Sequence, residues 1–496
     1  MSDEIILQNK PRNNYLWKGL GGNFDTLTQI IGEFIDNSLS DFIKNPDNPV
    51  RQITISFEEL PAAKYQVTVE DTGRGIADLD EAFSIGGTEA KLSSLNEHGF
   101  GMKHALAAAN PDNASWRIMT RTPSDEKAGV YSLIKAPFQM EGQQVQRIQG
   151  MWPGTIQTTG TIIEFAVDKH WLSTITRGLK GSYSRLDSIA TILNEDIGFT
   201  YGPLISKAVG SIQIRTKSLN DPVYKTMNVS EVKPVSTKTF PPGRGSTKYD
   251  LGKGEVTLNY EFLEAERSDY KRYYLANIST SGVEVRINGR AFETGLFSEI
   301  WPVEKHNSYN SLLIRIDIES DDPERLPATT TTKAGIRRDD AKFEALLGWI
   351  KQKMSTPKRE AKNSKEELDL FEQLRNLKYS QLRQFDPSMI IDNEKYAFET
   401  LDERIRIDLF QSFLNQITIY EGKIDKSTPL DVYQLQMYWD GLVLDGMKVE
   451  KAILIASEHP KSVKTLAELK NEYEDQNGDK YVIELRTWRD EGISYP

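Results

Sequence analysis

The chain has 496 residues, 38% hydrophobic and 27% charged, which suits a globular protein of roughly three domains at about 150 residues each. Its net charge of −11 excludes a generally basic nucleic-acid-binding surface, so any such contact requires a local basic patch. The absence of cysteine excludes disulfides, thiolate metal sites and cysteine nucleophiles. The opening MSDEIILQNKPRNN has no signal-peptide pattern and no run reaches membrane-span length, which predicts an intracellular, most simply cytoplasmic, protein with no membrane partner.

A polar leader reaches Gly19, Gly21 and Gly22, read as a flexible run. IIGEFIDNSLSDF follows over 30 to 42. At about 100° per residue, Glu33, Asp36, Asn37 and Ser40 share one polar stripe of a helix. Leu27, Ile31, Phe34, Ile35, Leu39 and Phe42 cover the rest, so the helix is expected to be buried. Buried acid and amide groups need polar partners, either neighbouring strands or a bound polar ligand.

RQITISF (51 to 57) and YQVTVE (65 to 70) alternate as strands. DTGRGI follows at 71 to 76, where Gly73 and Gly75 permit a sharp turn and close approach to a ligand. Asp71 stands at the strand end as an acceptor, although an ordinary acidic turn also fits. From Phe83 to Asn110 a polar, glycine-bearing stretch reads first as a mobile loop and then, through GFGMK, as a helix start. Gly99 and Gly101 would present bare amides at that helix N-terminus, an anion-binding arrangement. Lys103 lies in the first turn, where the helix dipole disfavours it unless an anion is near. Strands follow at 115 to 121, 129 to 135 and 161 to 167, giving an α+β layer with a mostly antiparallel sheet and helices on one face.

Residues 30 to 41, 71 to 76, 99 to 103 and 160 to 161 resemble the four ordered boxes of the GHKL ATPase superfamily, which includes gyrase B, MutL, histidine kinases, heat-shock chaperones and MORC proteins. The long loop with GFGMK is most similar to its MORC and MutL side. The resemblance implies an α+β multidomain protein that begins with a Bergerat-type ATPase sandwich. It implies Glu33 as the general base for the attacking water and Asn37 as the ligand of a Mg²⁺ that bridges the phosphates of ATP. It implies Asp71 as acceptor for the adenine amino group, with Gly73 and Gly75 against the base. Gly99, Gly101 and Lys103 would hold the phosphates, and Thr161 would support the adenine side. Ser40 departs from the acid often found there, with Asp41 beside it. A lid over about 84 to 98 would close on ATP.

Beyond residue 200, TFPPGRGSTKYDLGKG near 239 to 254 reads as loop or insertion. Strand-like runs surround it at 211 to 216, 255 to 262, 281 to 289 and 311 to 318. TTTTKAGIRRDD then leads into an amphipathic helix. The resemblance implies a transducer-like α/β domain over 201 to 356, after an ATP-binding domain over 1 to 200. It also implies that Lys333, beside Thr332, reaches the terminal phosphate; a solvated lysine in a threonine-rich loop is the ordinary alternative. Closure in this superfamily accompanies ATP-dependent homodimerisation.

Residues 357 to 384 read as a charged helical connector into a third domain over 357 to 496. ERIRIDLF (403 to 410) and QITIYEGKI (416 to 424) suggest a hairpin. Residues two apart share a strand face, so Glu421 and Lys423 project together and Asp408 can lie opposite. On the helix begun by Pro429 and Asp431, Gln434 and Tyr438 share a face. Strands at 451 to 457 and 481 to 488 complete an αβ pattern. The order Asp, ExK, QxxxY resembles the PD-(D/E)xK nucleases, particularly the RecB-like branch, and implies a restriction-endonuclease-like α/β domain. It implies Asp408 and Glu421 as Mg²⁺ ligands, Lys423 as catalytic lysine, and Gln434 and Tyr438 as support or DNA contacts. Glu372 is a further candidate acid, and an ordinary exposed strand pair is the plain alternative.

Together these resemblances lead to an ATP-gated DNA nuclease, with DNA and a further protein as partners, of a kind suited to prokaryotic defence. The alternative is a MORC-like clamp or chaperone-like machine whose last domain only binds.

Overall fold

The structure is a computed structural model that describes residues 13–84, 95, 101–139, 142–181, 183–303, 305–355, 362–393, 395–401 and 405–495. It contains two compact units, Met1–Pro357 and Lys358–Pro496.

The first unit begins with α1 (Asn13–Leu20) and α2 (Leu27–Lys44), then the hairpin β1 (Gln52–Leu60) and β2 (Lys64–Asp71). After them come α3 (Leu79–Phe83), α4 (Gly101–Ala109), β3 (Trp116–Arg121), α5 (Pro123–Lys127), β4 (Val130–Lys135), β5 (Val145–Gln149), β6 (Gly160–Asp168) and α6 (Lys169–Thr174). α7 (Leu186–Thr200), α8 (Gly202–Ser206), β7 (Ser211–Lys217) and β8 (Lys225–Asn228) complete this layer. The sheet order is β5-β4-β3-β6-β2-β1-β7-β8, with β1–β7 its parallel pair. β7 and β8 carry this sheet beyond residue 200, where the sequence reading ended the first domain.

Thr26 caps α2 reciprocally with Gln29, closing off two amides at the helix start. Leu27, Ile30, Ile31, Phe34, Ile35, Leu39 and Phe42 of α2 pack with Ile53, Ile55, Val67 and Phe165 of the sheet. The leader does not end as a flexible run. Residues 13–20 are helical, Trp17 is buried and its Nε1 donates to the Asn110 carbonyl at 2.7 Å. A Cβ at Gly21 would meet the Ala107 carbonyl carbon at 2.6 Å. That glycine serves close packing of the turn on α4.

A second sheet, ordered β12-β11-β13-β10-β9, contains β9 (Val235–Asp250), β10 (Glu255–Glu266), β11 (Gly282–Ile287), β12 (Arg290–Leu296) and β13 (Leu312–Glu319). α9 (Ala341–Lys353) packs on it through Phe343, Leu346, Trp349 and Ile350. The segment near 239 to 254, expected as loop, is instead the larger part of β9. β9 is an edge strand, and Pro241 and Pro242 lie where its register against β10 shifts, between Arg244↔Glu261 and Thr239↔Leu263. Proline lacks the ladder donor, and an edge or a bulge is where a sheet tolerates that.

The second unit contains α10 (Lys362–Leu382), β14 (Ile390–Asp392), β15 (Tyr396–Ala397), β16 (Ile405–Arg406), β17 (Leu409–Phe413), β18 (Gln416–Gly422), α11 (Pro429–Leu444), β19 (Val449–Ala456), α12 (Lys461–Lys470) and β20 (Ile483–Thr487). Its sheet order is β14-β17-β18-β19-β20. α10 is more than a connector: Phe371 and Leu374 pack against Leu409, Tyr420, Ile453, Ile455 and Trp488 on one sheet face. Val432, Leu435, Tyr438, Trp439 and Leu442 of α11, with Val463 and Ala467 of α12, cover the other through Ile419, Ala452, Leu454 and Ile483. The strand expected over 403 to 410 is interrupted; 403 and 404 lie outside the described residues, and the chain passes from β16 to β17 through Ile407 and Asp408. There Ile407 is buried and its amide donates to the Lys395 carbonyl.

Candidate functional site

The polar stripe of α2 meets two cations from the second sheet's domain. Lys333 Nζ lies 3.2 Å from Glu33 Oε2, 3.2 Å from Asp36 Oδ2 and 2.6 Å from the Leu95 carbonyl oxygen. Arg290 Nε donates to Asp36 Oδ1 at 2.9 Å and its Nη1 to the Lys333 carbonyl at 3.1 Å. Glu33, Asp36, Arg290 and Lys333 are all buried. Two carboxylates and two cations therefore share one water-poor space, where pairing is what makes burial of charge tolerable. Burial pushes the Glu33 carboxyl above its ordinary range; the Lys333 ammonium opposes that rise, Asp36 adds to it and Arg290 opposes it. A carboxylate raised in this way is a better proton acceptor near neutral pH. Asn37 is half-buried, one turn from Glu33.

Lys333 sits in a closed loop. Its amide donates to the Thr330 carbonyl at 2.8 Å, and Thr330 N donates to the Gly335 carbonyl at 3.0 Å. Glu293 of β12 accepts from Ile336 N at 2.7 Å and from Arg338 Nη2 at 2.9 Å, holding the far side of the loop. Thr332 is half-buried beside it.

The turn after β2 is organised around Asp71. Its carboxylate accepts from Gly73 N at 2.9 Å, Ser38 Oγ at 3.0 Å and Thr161 N at 3.2 Å. Burial raises its pKa to about 6, against the pull of those donors. A Cβ at Gly73 would meet Asp41 Oδ2 at 2.5 Å and Asp71 Oδ1 at 3.0 Å. Gly75 has φ +72°, and a Cβ there would meet the Arg121 carbonyl oxygen at 2.5 Å, so only glycine fits without strain. Thr161 Oγ1 lies 3.4 Å from Thr120 Oγ1, which accepts from Ile76 N at 2.7 Å. Asp41, for which the sequence pattern implies no role beyond standing beside Ser40, accepts from Arg74 N at 3.0 Å and helps fix the turn. Ser40 is buried.

A Cβ at Gly101 would meet Glu33 Oε2 at 2.1 Å, so the start of α4 lies directly against that acid. Lys103, expected to face phosphate, is engaged elsewhere: its Nζ donates to the carbonyls of Ala82 at 2.8 Å and Ser84 at 2.7 Å. Burial lowers its pKa to about 8. Gly99 and most of the expected lid lie outside the described residues; Ser84 and Leu95 are the described positions of that stretch.

Residues 22–123 match the family described as "Histidine kinase-, DNA gyrase B-, and HSP90-like ATPase". This region is a GHKL-type ATPase domain. The match spans α2, the Asp71 turn and α4, and the ATPase domain thus contains Glu33, Asn37, Asp71 and Gly101. Solved structures with likeness to the chain include the N-terminal domain of a DNA repair protein, at 15% identity and TM-score 0.39, covering 69% of this chain and 96% of that one. Another is the B-subunit of the DNA gyrase from Myxococcus xanthus, at 9% identity and TM-score 0.36, covering 66% and 88%. No curated protein matches the chain.

The C-terminal unit holds a second acidic cluster, separate from the ATPase domain in sequence. Leu409 pairs with Tyr420 in the antiparallel ladder, so Asp408, one step before, comes beside Glu421. Asp408 Oδ2 accepts from Gly422 N at 3.0 Å. Lys423 Nζ is paired with Glu421 Oε1 and stands 4.0 Å from Asp431 Oδ1. Gln434 Nε2 donates to Tyr438 Oη at 2.6 Å. Glu421 is buried, and its Oε2 has no hydrogen-bond partner among the described residues. Burial pushes the Glu421 carboxyl well above its ordinary range, Asp408 adds to the rise and Lys423 opposes it. The structure therefore brings Asp408, Glu421 and Lys423 together on the sheet face that α11 covers. It does not bring in Glu372, which is exposed on α10. Among the described residues no group of three or more His, Cys, Asp or Glu side chains is arranged to hold a metal ion. No described helix is long and apolar enough to cross a membrane.

Proposed function

We propose that the chain is an ATP-hydrolysing machine of the GHKL type in which Lys333 links the nucleotide site to the second sheet. The observation that carries this reading is the 3.2 Å approach of Lys333 Nζ to both Glu33 and Asp36 across 300 residues of sequence. Glu33 accepts the proton of the attacking water, and its burial favours that role. Lys333, next to the base, offers positive charge to the terminal phosphate of ATP. Asp71 accepts from the adenine amino group, with Gly73 and Gly75 against the base; that a Cβ at either would meet Asp41 Oδ2 or the Arg121 carbonyl oxygen at 2.5 Å supports a turn that only glycine can form there. Asn37 would hold Mg²⁺, which supplies neutralisation of the phosphate charge. An ATP-dependent homodimer belongs to this reading through the superfamily resemblance. The test is Glu33→Ala: hydrolysis falls at least about a hundredfold while binding of a fluorescent ATP analogue persists. Unchanged turnover overturns it.

For the C-terminal unit we infer a Mg²⁺-dependent nuclease site acting on DNA. The orphaned Glu421 Oε2 beside Asp408 favours this reading, because two close carboxylates with one lysine leave negative charge that a divalent cation would balance. Asp408 and Glu421 would hold the ion, which supplies Lewis acidity toward a phosphodiester. Lys423 positions the water, and Gln434 and Tyr438 brace the site from α11. ATP turnover would regulate cutting, in keeping with defence against foreign DNA. Plasmid and linear DNA incubated with ATP and Mg²⁺ decide the matter. Cleavage by the wild type that Lys423→Ala abolishes supports the nuclease. DNA left intact during active ATP hydrolysis favours the clamp-like or chaperone-like machine with a non-catalytic C-terminal domain.

A further inference from the structure

We propose that Arg290 is a positioning residue for hydrolysis: its guanidinium clamps the Lys333 loop to α2 and so sets where the Lys333 ammonium stands relative to Glu33. The inference rests on the ATPase reading above and assigns a role to a residue outside the matched region, 22–123.

Arg290 reaches two elements with one planar group. Nε holds Asp36 on α2 at 2.9 Å, and Nη1 holds the carbonyl oxygen of Lys333 itself at 3.1 Å. A rigid fork of donors can satisfy both directions at once, which a lysine ammonium on a flexible stem does poorly. The fork is held in turn by rings: its central carbon lies 4.4 Å from the Phe292 ring centre and 5.7 Å from that of Tyr201. Tyr201 is anchored to α2 through its hydroxyl, which donates to the Gly32 carbonyl at 3.0 Å.

Lys333 needs such a hold. Its φ is +51°, a left-handed conformation that non-glycine residues adopt under constraint. The constraint comes from both sides, its amide bound to Thr330 and its carbonyl bound to Arg290. Without the second bond the peptide after Lys333 can rotate, and the ammonium loses its fixed origin.

The placement of Arg290 is built into a two-residue hairpin. Ile287 pairs with Arg290 across Asn288 and Gly289, whose φ values are +48° and +85°, the geometry that an Asn-Gly turn supplies. Asn288 is tied to Ser320 by two hydrogen bonds of 3.0 Å, and Gly289 N donates to Asp317 Oδ1 at 2.9 Å. The guanidinium therefore projects from a rigid corner of the second sheet into the ATPase helix.

The experiment compares full-length wild type with Arg290→Lys and Arg290→Met, alone and in a Lys333→Gln background, by steady-state ATP hydrolysis. Because Arg290 acts through Lys333, Arg290→Lys is expected to lower kcat about tenfold or more, as small misplacements do, with KM within about threefold. In the Lys333→Gln background the same change costs less than about twofold, a non-additivity expected of residues acting as a unit. Hydrogen exchange provides a second readout that needs no Lys333 variant: amides at 329–336 exchange faster in Arg290→Lys while those of β10 and β13 do not. If Arg290→Met does not fold, Arg290→Lys decides alone. Wild-type kcat in Arg290→Lys, or equal losses in both backgrounds, overturns the inference and leaves the ATPase reading standing. Turnover that survives Glu33→Ala overturns the ATPase reading itself.

Discussion

Two lysine–carboxylate clusters in this chain look alike in composition and differ in charge balance. Around Glu33 and Asp36, two cations meet two acids, and every partner is buried. Around Glu421 and Asp408 there is one close lysine, 30% exposed at its side chain, and one buried oxygen with no partner among the described residues. The first arrangement is complete in itself and ties two sheets' domains together. The second has negative charge left over, which is the condition that favours a bound cation over a structural lock. The same residue types therefore pair off fully in one place and leave one buried carboxylate oxygen without a hydrogen-bond partner among the described residues in the other.

The largest test of this contrast is removal of the lysines. Lys333→Ala leaves two buried carboxylates with Arg290 alone, and loss of a buried partner costs about 3–5 kcal/mol; calorimetry of the full chain should show the Met1–Pro357 unit melting markedly earlier. Next in size is the response to Mg²⁺. If the C-terminal cluster holds the ion, saturation at about a hundredfold over the dissociation constant stabilises that unit by about 2.7 kcal/mol. The shift in melting disappears in Glu421→Gln, and a shift unaffected by that substitution refutes the assigned ligand.

A smaller effect concerns pH. Asp71 is raised from 3.8 to about 6 by burial, and on the ATPase reading proposed above its ionised form would be the full acceptor for an adenine amino group. Adenine-nucleotide affinity should hold above pH 6 and fall below it, by up to about tenfold per unit; Asp71→Asn flattens that dependence. Smallest is the structural effect of Lys423→Ala. Lys423 is partly exposed although its partner Glu421 is buried, so this variant is expected to lower the melting temperature less than Lys333→Ala does, even where it loses DNA cleavage. A large destabilisation would make Lys423 a structural lock like Lys333 and erase the contrast.

Much of the architecture was legible in periodicity. The buried α2, the β1–β2 hairpin, the glycine turn after Asp71 and the β17–β18 pair, with Glu421 on β18 and Asp408 and Lys423 just outside the two strands, follow from local pattern, because strand and helix repeats put named side chains on named faces. The leader helix and β9 were not legible. Trp17 needed α4 to pack against, and the prolines of β9 needed a sheet edge. α12, KSVKTLAELK, went unread between two strands although its apolar spacing is helical. Arg290 carried a local signal in its Asn-Gly turn, but nothing local said what the guanidinium would meet.

The sequence by itself determined which residues could do chemistry: the acid and amide on one helix stripe, the acid before two glycines, the ExK strand. Only the tertiary structure decided their company. Lys333 reaches Glu33 across 300 positions and Arg290 reaches Asp36 across 254, whereas Lys103 turns to the Ala82 and Ser84 carbonyls. The physical reason is that periodicity fixes direction within an element, while burial of charge is resolved only by whichever opposite charge or carbonyl the folded chain brings within hydrogen-bond distance.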